Sequence, residues 1–189
     1  SKGEYVARNR ITVLGGGNTA FSMAANLALA GNDVLLWEHP DFARTLDPIR
    51  ESLTIHLDGT ARTGGAKLAG VTTDAAEALA WSEILICSVP SYAHQPFIEQ
   101  LLPHLTPGHL LALLPGNFGA LAVAHALREA GKDGVIIAES DTAPYVCRKS
   151  GPDRAVIWGT VSALGIGVRT LGMKLKRGKE DGQLVDQGA

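Results

Sequence analysis

At 189 residues, with 46% hydrophobic and 19% charged residues, the chain suits one ordinary domain and is long enough to bury a core. Its formal net charge of −2 argues against nucleic acid or an anionic membrane surface as the main partner. The 2 cysteines stand in no zinc-ligand spacing and fit a reduced, cytoplasmic setting.

Taken in chain order, "RITVLG" reads as a buried strand, and Thr19 to Ala30 as a helix rich in alanine and leucine that ends at Gly31-Asn32. "DVLLWE" is the second strand. Asp41 to Glu51 has a helical pattern interrupted by Pro48. "SLTIHLDG" alternates as a short strand does, with a turn at Asp58-Gly59. Asp74 to Trp81 reads as a short helix with Asp74 as its N-cap. "EILICSV" is a further buried strand, and its Cys87 is read as a small core hydrophobe. Ser91 to Leu105 is helical in pattern, with Phe97, Leu101 and Leu105 four apart. "HLLALLPG" is a strand, Ala120 to Ala130 a helix closed by Gly131, and "GVIIAES" another strand.

This alternation predicts an α/β, Rossmann-like, doubly wound and mostly parallel sheet with helices on both faces. After Ser140 the rhythm changes. "DRAVIWGTVSALGIGV" is apolar and β-branched, and predicts one or two strands that close the sheet. Cys147 lies beside Arg148 and Lys149, cations that lower a thiol's pKa, but an inert thiol is the expectation. From Lys174 to Ala189 the chain is polar and basic, then acidic, with too little apolar content to fold alone. No signal peptide and no apolar run long enough for a membrane span is legible.

The chemistry begins at "LGGGNTA". A βαβ phosphate cradle needs one glycine for the sharp turn. It needs a second for backbone approach to a pyrophosphate, and a third small residue for close helix packing. Gly15, Gly17 and Ala20 supply that pattern, and Gly16 is read as slack. The N–H groups of Asn18 and Thr19 are the expected donors, at a helix end whose dipole favours anions. Glu38 ends the second strand, at the position of a carboxylate that accepts from adenine ribose hydroxyls and repels a 2′-phosphate. NAD is therefore the expected cofactor. His39 and Arg44 stand nearby and leave NADP open. On this reading residues 1–173 form a dinucleotide-binding domain and residues 174–189 a flexible tail.

Ligands of doubly wound sheets bind beyond the carboxyl ends of the strands. Ser88, Val89 and Pro90 end one strand and border the expected nicotinamide side. Pro115, Gly116 and Asn117 end the next, beneath the nicotinamide ribose, with Phe118 read as a packing residue. His94 is expected one turn into its helix, facing cleft or solvent. It is an active-site candidate weighed against a solvated or capping histidine. Glu139, Asp141 and Arg148 are candidates for the substrate side, weighed against ordinary surface charges.

Together "ITVLGGGNTAFSMAANLALAG", "ILICSVPSYAHQPFIEQLLPHL", "LLALLPGNFGALAVAHALRE" and "IIAESDTAPYVCRKSGPDRAVIW" resemble the amino-terminal domain of opine dehydrogenases, the octopine and nopaline dehydrogenase group. The resemblance covers Arg10 to Val168 and is most specific in "PGNFGA" and "AESDTAPYVCR". It implies reductive condensation of an amino acid with a 2-oxo acid, using NAD(P)H. It places Gly15, Gly17 and Ala20 on the family's dinucleotide turn, Glu38 on its acidic ribose position, and Val89 and Pro90 on a cofactor-contact strand end. It also implies a second, helical domain carrying the catalytic histidine, and no catalytic residue of that kind is found in this sequence.

Three readings compete: the cofactor domain of an opine-type oxidoreductase, a stand-alone NAD(H)-sensing module that self-associates, and a compact reductase using His94 or Glu139. Relatives of the glycerol-3-phosphate dehydrogenase or ketopantoate reductase type share the glycine turn and the Val-Pro. The expected partners are the cofactor and, with a second domain, the amino acid and oxo acid. No metal, nucleic acid or membrane is expected, and a homo-oligomer is open.

Overall fold

The computed structural model describes residues 8–170. The opening unit forms as read: β1 (Arg10–Leu14), α1 (Asn18–Leu29) and β2 (Asp33–Trp37). Helix α1 stops because Gly31 takes a φ of +94°, which glycine adopts without steric cost. Beyond β2 lies a 3₁₀ segment, Pro40–Ile49, broken at Phe42, in place of the predicted α-helix. Pro48 lacks the N–H that an α-helical ladder needs there.

The next strands are β3 (Thr54–Gly59), β4 (Gly64–Lys67) and β5 (Gly70–Thr72); the last two have no counterpart in the sequence reading. Helix α2 (Ala75–Trp81) follows. It is capped as expected, with the Asp74 carboxylate accepting from the N–H groups of Ala76 and Glu77 at 2.8 and 3.2 Å. Asp74→Ala is expected to remove about 1 kcal/mol of stability. In a chain of this size that lowers the thermal midpoint by roughly 2–4 °C; a calorimetric scan measures it.

Strand β6 (Ile84–Cys87) leads through a 3₁₀ turn, Ser91–Ala93, into α3 (His94–Leu101) and a second 3₁₀ turn, Leu102–His104. The predicted single helix is thus three short pieces. Phe97, Leu101 and Leu105 are all buried nonetheless. Strand β7 (Leu110–Leu113), α4 (Gly119–Glu129) and β8 (Ile136–Ser140) complete the alternation. Then come β9 (Tyr145–Gly151), β10 (Arg154–Thr160) and β11 (Ile166–Thr170).

One sheet of seven strands runs β11-β8-β7-β6-β1-β2-β5. All its neighbours are parallel except β11, which pairs antiparallel with β8 and closes the edge. The strand order reverses between β1 and β6, so the switch point lies at the carboxyl ends of those two strands. Alternate residues feed two cores. Leu14, Leu35, Trp37, Leu85, Leu111 and Ile137 pack with α2, α3 and α4 on one face. Ile11, Val13, Val34 and Leu36 pack against α1 on the other.

A second sheet, β4-β3-β10-β9, lies over α1. Its Ile55, Leu57, Ala66, Ala155 and Ile157 join the core of that face. The apolar run after Ser140 therefore does not supply two strands to one sheet. β10 enters the second sheet parallel to β3, and β11 the first. The polar tail from Lys174 lies outside the described residues. Among the described residues no helix is long and apolar enough to cross a membrane, and no group of three metal-ligating side chains gathers.

Candidate functional site

The carboxyl ends of β1, β2 and β6 surround the glycine turn. Gly15 has a φ of +112°, and its N–H donates to the Trp37 carbonyl at 2.7 Å. A Cβ on Gly15 would lie 2.6 Å from Cγ1 of Val89. The turn therefore needs glycine there for conformation and for space. Gly17 is extended, with φ −74° and ψ −179°, and precedes α1 without any side-chain cap. A Cβ added to it would meet nothing within 4 Å. No side chain caps α1 and its first turn carries no acidic residue, which leaves its first N–H groups and positive dipole end uncompensated. Ala20 is fully buried against the sheet.

Gly16 is more than slack. The Glu38 carboxylate occupies the place where a side chain on Gly16 would go, beside the Thr45 hydroxyl. Glu38 is only 4% exposed. It accepts from the His39 N–H at 2.8 Å, the Thr45 hydroxyl at 3.1 Å and the Gly16 N–H. Burial raises its pKa above the usual carboxylate range, and these three hydrogen bonds pull it back part of the way. A cleft of ≈ 260 Å³ opens beside it, lined by Gly16, Gly17, Glu38, Ser88, Val89 and Pro90, with Phe42, Tyr92 and Phe97 as its aromatic walls. The dinucleotide turn, the acidic strand end and the end of β6 thus share one cleft. Thr45, Phe42 and Tyr92 were not legible as site residues, because the 3₁₀ segments that carry them give no periodic signal, and Phe97 was legible only as a helix residue.

The second sheet reaches the same turn from the far side. The Lys149 N–H donates to the Asn18 side-chain oxygen at 2.9 Å, and the Cys147 thiol lies 3.7 Å from the Asn18 carbonyl oxygen and 3.9 Å from the Thr19 hydroxyl. The Lys149 ammonium stands 4.1 Å from the centre of the Phe21 ring. Burial lowers its pKa, and attraction to Glu38 opposes that shift. Arg148, on the opposite face of β9, is exposed to solvent. Cys87 is buried in the core, and desolvation pushes its thiol up to about 12, so it is inert.

Pro115, Gly116 and Asn117 lie apart from the first cleft, at the end of β7. Asn117 and Phe118 both take positive φ, +47° and +64°. This turns Phe118 outward to 80% exposure, so it is not the packing residue expected. A side chain on Gly116 would collide with Glu139. Glu139 receives the Ala120 N–H at 3.3 Å, so its carboxylate lies at the start of α4. Asn117, Phe118, Glu139, Ser140, Asp141 and Ile166 line a second cleft of ≈ 570 Å³. His94 comes one 3₁₀ turn after Ser91, as read, but it is not solvated. It begins α3 and is buried, with Nε2 3.2 Å from the Val89 carbonyl oxygen.

A family described as "NADP oxidoreductase coenzyme F420-dependent" matches residues 10–112. An opine dehydrogenase of Arthrobacter sp. (strain 1C) is 30% identical over 146 residues, covering 77% of this chain and 40% of that protein. A glycerol-3-phosphate dehydrogenase [NAD(P)+] of Pelodictyon phaeoclathratiforme is 39% identical over 84 residues, covering 44% of this chain and 24% of that protein. Among solved structures, octopine dehydrogenase with NADH and pyruvate superposes with a TM-score of 0.73 at 22% identity, over 87% of this chain and 44% of that one. The chain spans about two fifths of the length of the opine relative it matches.

Proposed function

This chain belongs to the family of coenzyme F420-dependent NADP oxidoreductases, and from that premise we propose that it is the nucleotide-holding part of an opine-type dehydrogenase that favours NAD over NADP. The observation that carries the reading is one cleft lined by Gly16, the N-cap residue Gly17, Glu38 and the end of β6, next to the uncapped start of α1. The pyrophosphate would rest on the free N–H groups of Asn18 and Thr19. The adenine ribose hydroxyls would meet the Glu38 carboxylate, which the Gly16 N–H and Thr45 already orient. Phe42, Tyr92 and Phe97 would flank the adenine. Pro115, Gly116 and Asn117 would lie on the nicotinamide side, with Glu139 and Asp141 beyond them toward substrate.

The bound nicotinamide would supply a hydride to the imine formed from an amino acid and a 2-oxo acid, giving a secondary amine. This chain's share of that work is to bind the cofactor and fix its orientation. In a protein of the relatives' full length the remaining region would supply the substrate contacts and the proton.

Titration with NADH, watching energy transfer from the tryptophans, tests the reading directly. Trp37 immediately precedes Glu38 and is a suitable donor. Absence of transfer at millimolar NADH and NADPH would sink it. Glu38→Gln is expected to lower NADH affinity by about ten- to a hundredfold, since hydrogen bonds to a charged group contribute roughly 1.5–3 kcal/mol. NADPH affinity should hold or rise, because the repulsion of a 2′-phosphate is gone. Equal losses for both cofactors would count against Glu38 as the ribose partner.

A second reading is favoured by the exposed Phe118, Leu121, Ile166 and Val168. An apolar surface of this kind suits a cofactor-sensing module that pairs with itself. Sedimentation separates the two, since a clean monomer argues against self-association.

A further inference from the structure

His94 has a place in the cofactor site that goes beyond packing. It is 5% exposed. Its Nε2 lies 3.2 Å from the Val89 carbonyl oxygen, and a carbonyl only accepts, so Nε2 carries the hydrogen. In the neutral ring the lone pair then sits on Nδ1. That edge lies against the first residue of α4: a Cβ on Gly119 would come within 2.5 Å of Nδ1 and 2.9 Å of Cε1. Glu139, at the end of β8, is the charged group that acts on the ring. The imidazole thus lies between the end of β6, at Val89, and the start of α4, at Gly119, and the Glu139 charge on β8 acts on it from a distance.

Val89 matters because its side chain packs on Gly15, the pivot of the glycine turn, and lines the cleft with Gly16 and Gly17. Moving the Val89 backbone would disturb both. Resting on the functional reading above, we propose that His94 is a positioning residue for the cofactor, its neutral Nε2–H holding the Val89 carbonyl so that the end of β6 keeps its place against the glycine turn. Desolvation favours the neutral ring and lowers its pKa, while the Val89 carbonyl and Glu139 pull the other way. Protonation on Nδ1 would also set a cation against the positive end of α4.

The test combines ¹⁵N-labelled histidine NMR of the full chain across pH with NADH titrations. The free protein is expected to show His94 as the Nε2–H tautomer, titrating below the ordinary histidine range. His94→Leu is expected to bind NADH about tenfold more weakly, the loss of one buried hydrogen bond. His94→Gln, whose amide N–H can replace Nε2–H, should bind like the parent. An Nδ1–H tautomer overturns the proposal. So does unchanged affinity in His94→Leu, or a tenfold loss in His94→Gln; the last remains decisive if the leucine variant does not fold. A parent chain that binds neither NADH nor NADPH overturns the functional reading, and this proposal with it. Firm binding by the parent with an indifferent His94→Leu overturns this proposal alone.

Discussion

Gly17→Ala is expected to leave stability unchanged while lowering NADH affinity by about ten- to a hundredfold, the loss of charge-assisted hydrogen bonds to the pyrophosphate. The backbone there is extended and a Cβ would enter open space. The free protein therefore has no reason to resist the methyl group, whereas a phosphate drawn to the start of α1 would meet it. Gly15→Ala is the contrasting variant. A residue at φ +112° is strained, and its Cβ would press to 2.6 Å from Val89 Cγ1. Left-handed strain of about 1–2 kcal/mol adds to overpacking of about 1–3 kcal/mol, so both stability and binding should fall. Urea melts and NADH titrations on the two variants separate a binding defect from a folding defect. If Gly17→Ala binds NADH like the parent, no phosphate passes over that residue.

The largest loss of stability is expected at Gly59, far from the cleft. Gly59 ends β3 at φ +114° and pairs in parallel with Ile157 of β10. A Cβ would fall on the Ile157 carbonyl oxygen, which also accepts from the Thr60 N–H at 2.8 Å. The clash is with backbone on both sides, so no side-chain rotation relieves it. Gly59→Ala should cost about 4 kcal/mol or more, in the range reserved for specific steric failures. The urea midpoint should drop at an unchanged slope. NADH binding should weaken less than stability does, because Gly59 touches the site only through the second sheet. A midpoint within the error of the parent would show that β3 and β10 are not paired as described.

Much of this was legible from local pattern. The apolar runs at Ile11, Val34, Leu85, Leu111 and Ile137 each became a strand of the large sheet. Their continuous hydrophobicity reflects burial on both faces. Gly15, Gly31 and Gly131 marked turns because positive φ is nearly free for glycine alone. Asp74 capped α2 because a short carboxylate before a helix reaches its first N–H groups. The family resemblance rests on the same local segments, and the matching relatives include opine dehydrogenases.

Other features had no local signature. Strands β4 and β5 are short and rich in glycine, so neither alternation nor propensity announces them. One partner of β3 is β10, about a hundred residues away, and sequence neighbours say nothing about such a pairing. The glycine thought to be slack, Gly16, proved to be the space that Glu38 fills. His94 was read as facing cleft or solvent, because burial made across strands leaves no mark on the residues beside it in sequence. It is buried because the helix it begins packs against α4, and that contact is made across strands.

The sequence by itself determined the βαβ cradle, the alternating sheet and the chemical type of each strand end, because periodicity, glycine φ and capping act within a few residues. Only the tertiary structure decided which strand ends meet. The order β2-β1-β6 brings Glu38 and Val89 to the glycine turn, the second sheet sets Lys149 over α1, and His94 ties β6 to α4. Those choices depend on burying two faces of one sheet at once, and that energy belongs to residues far apart in the chain.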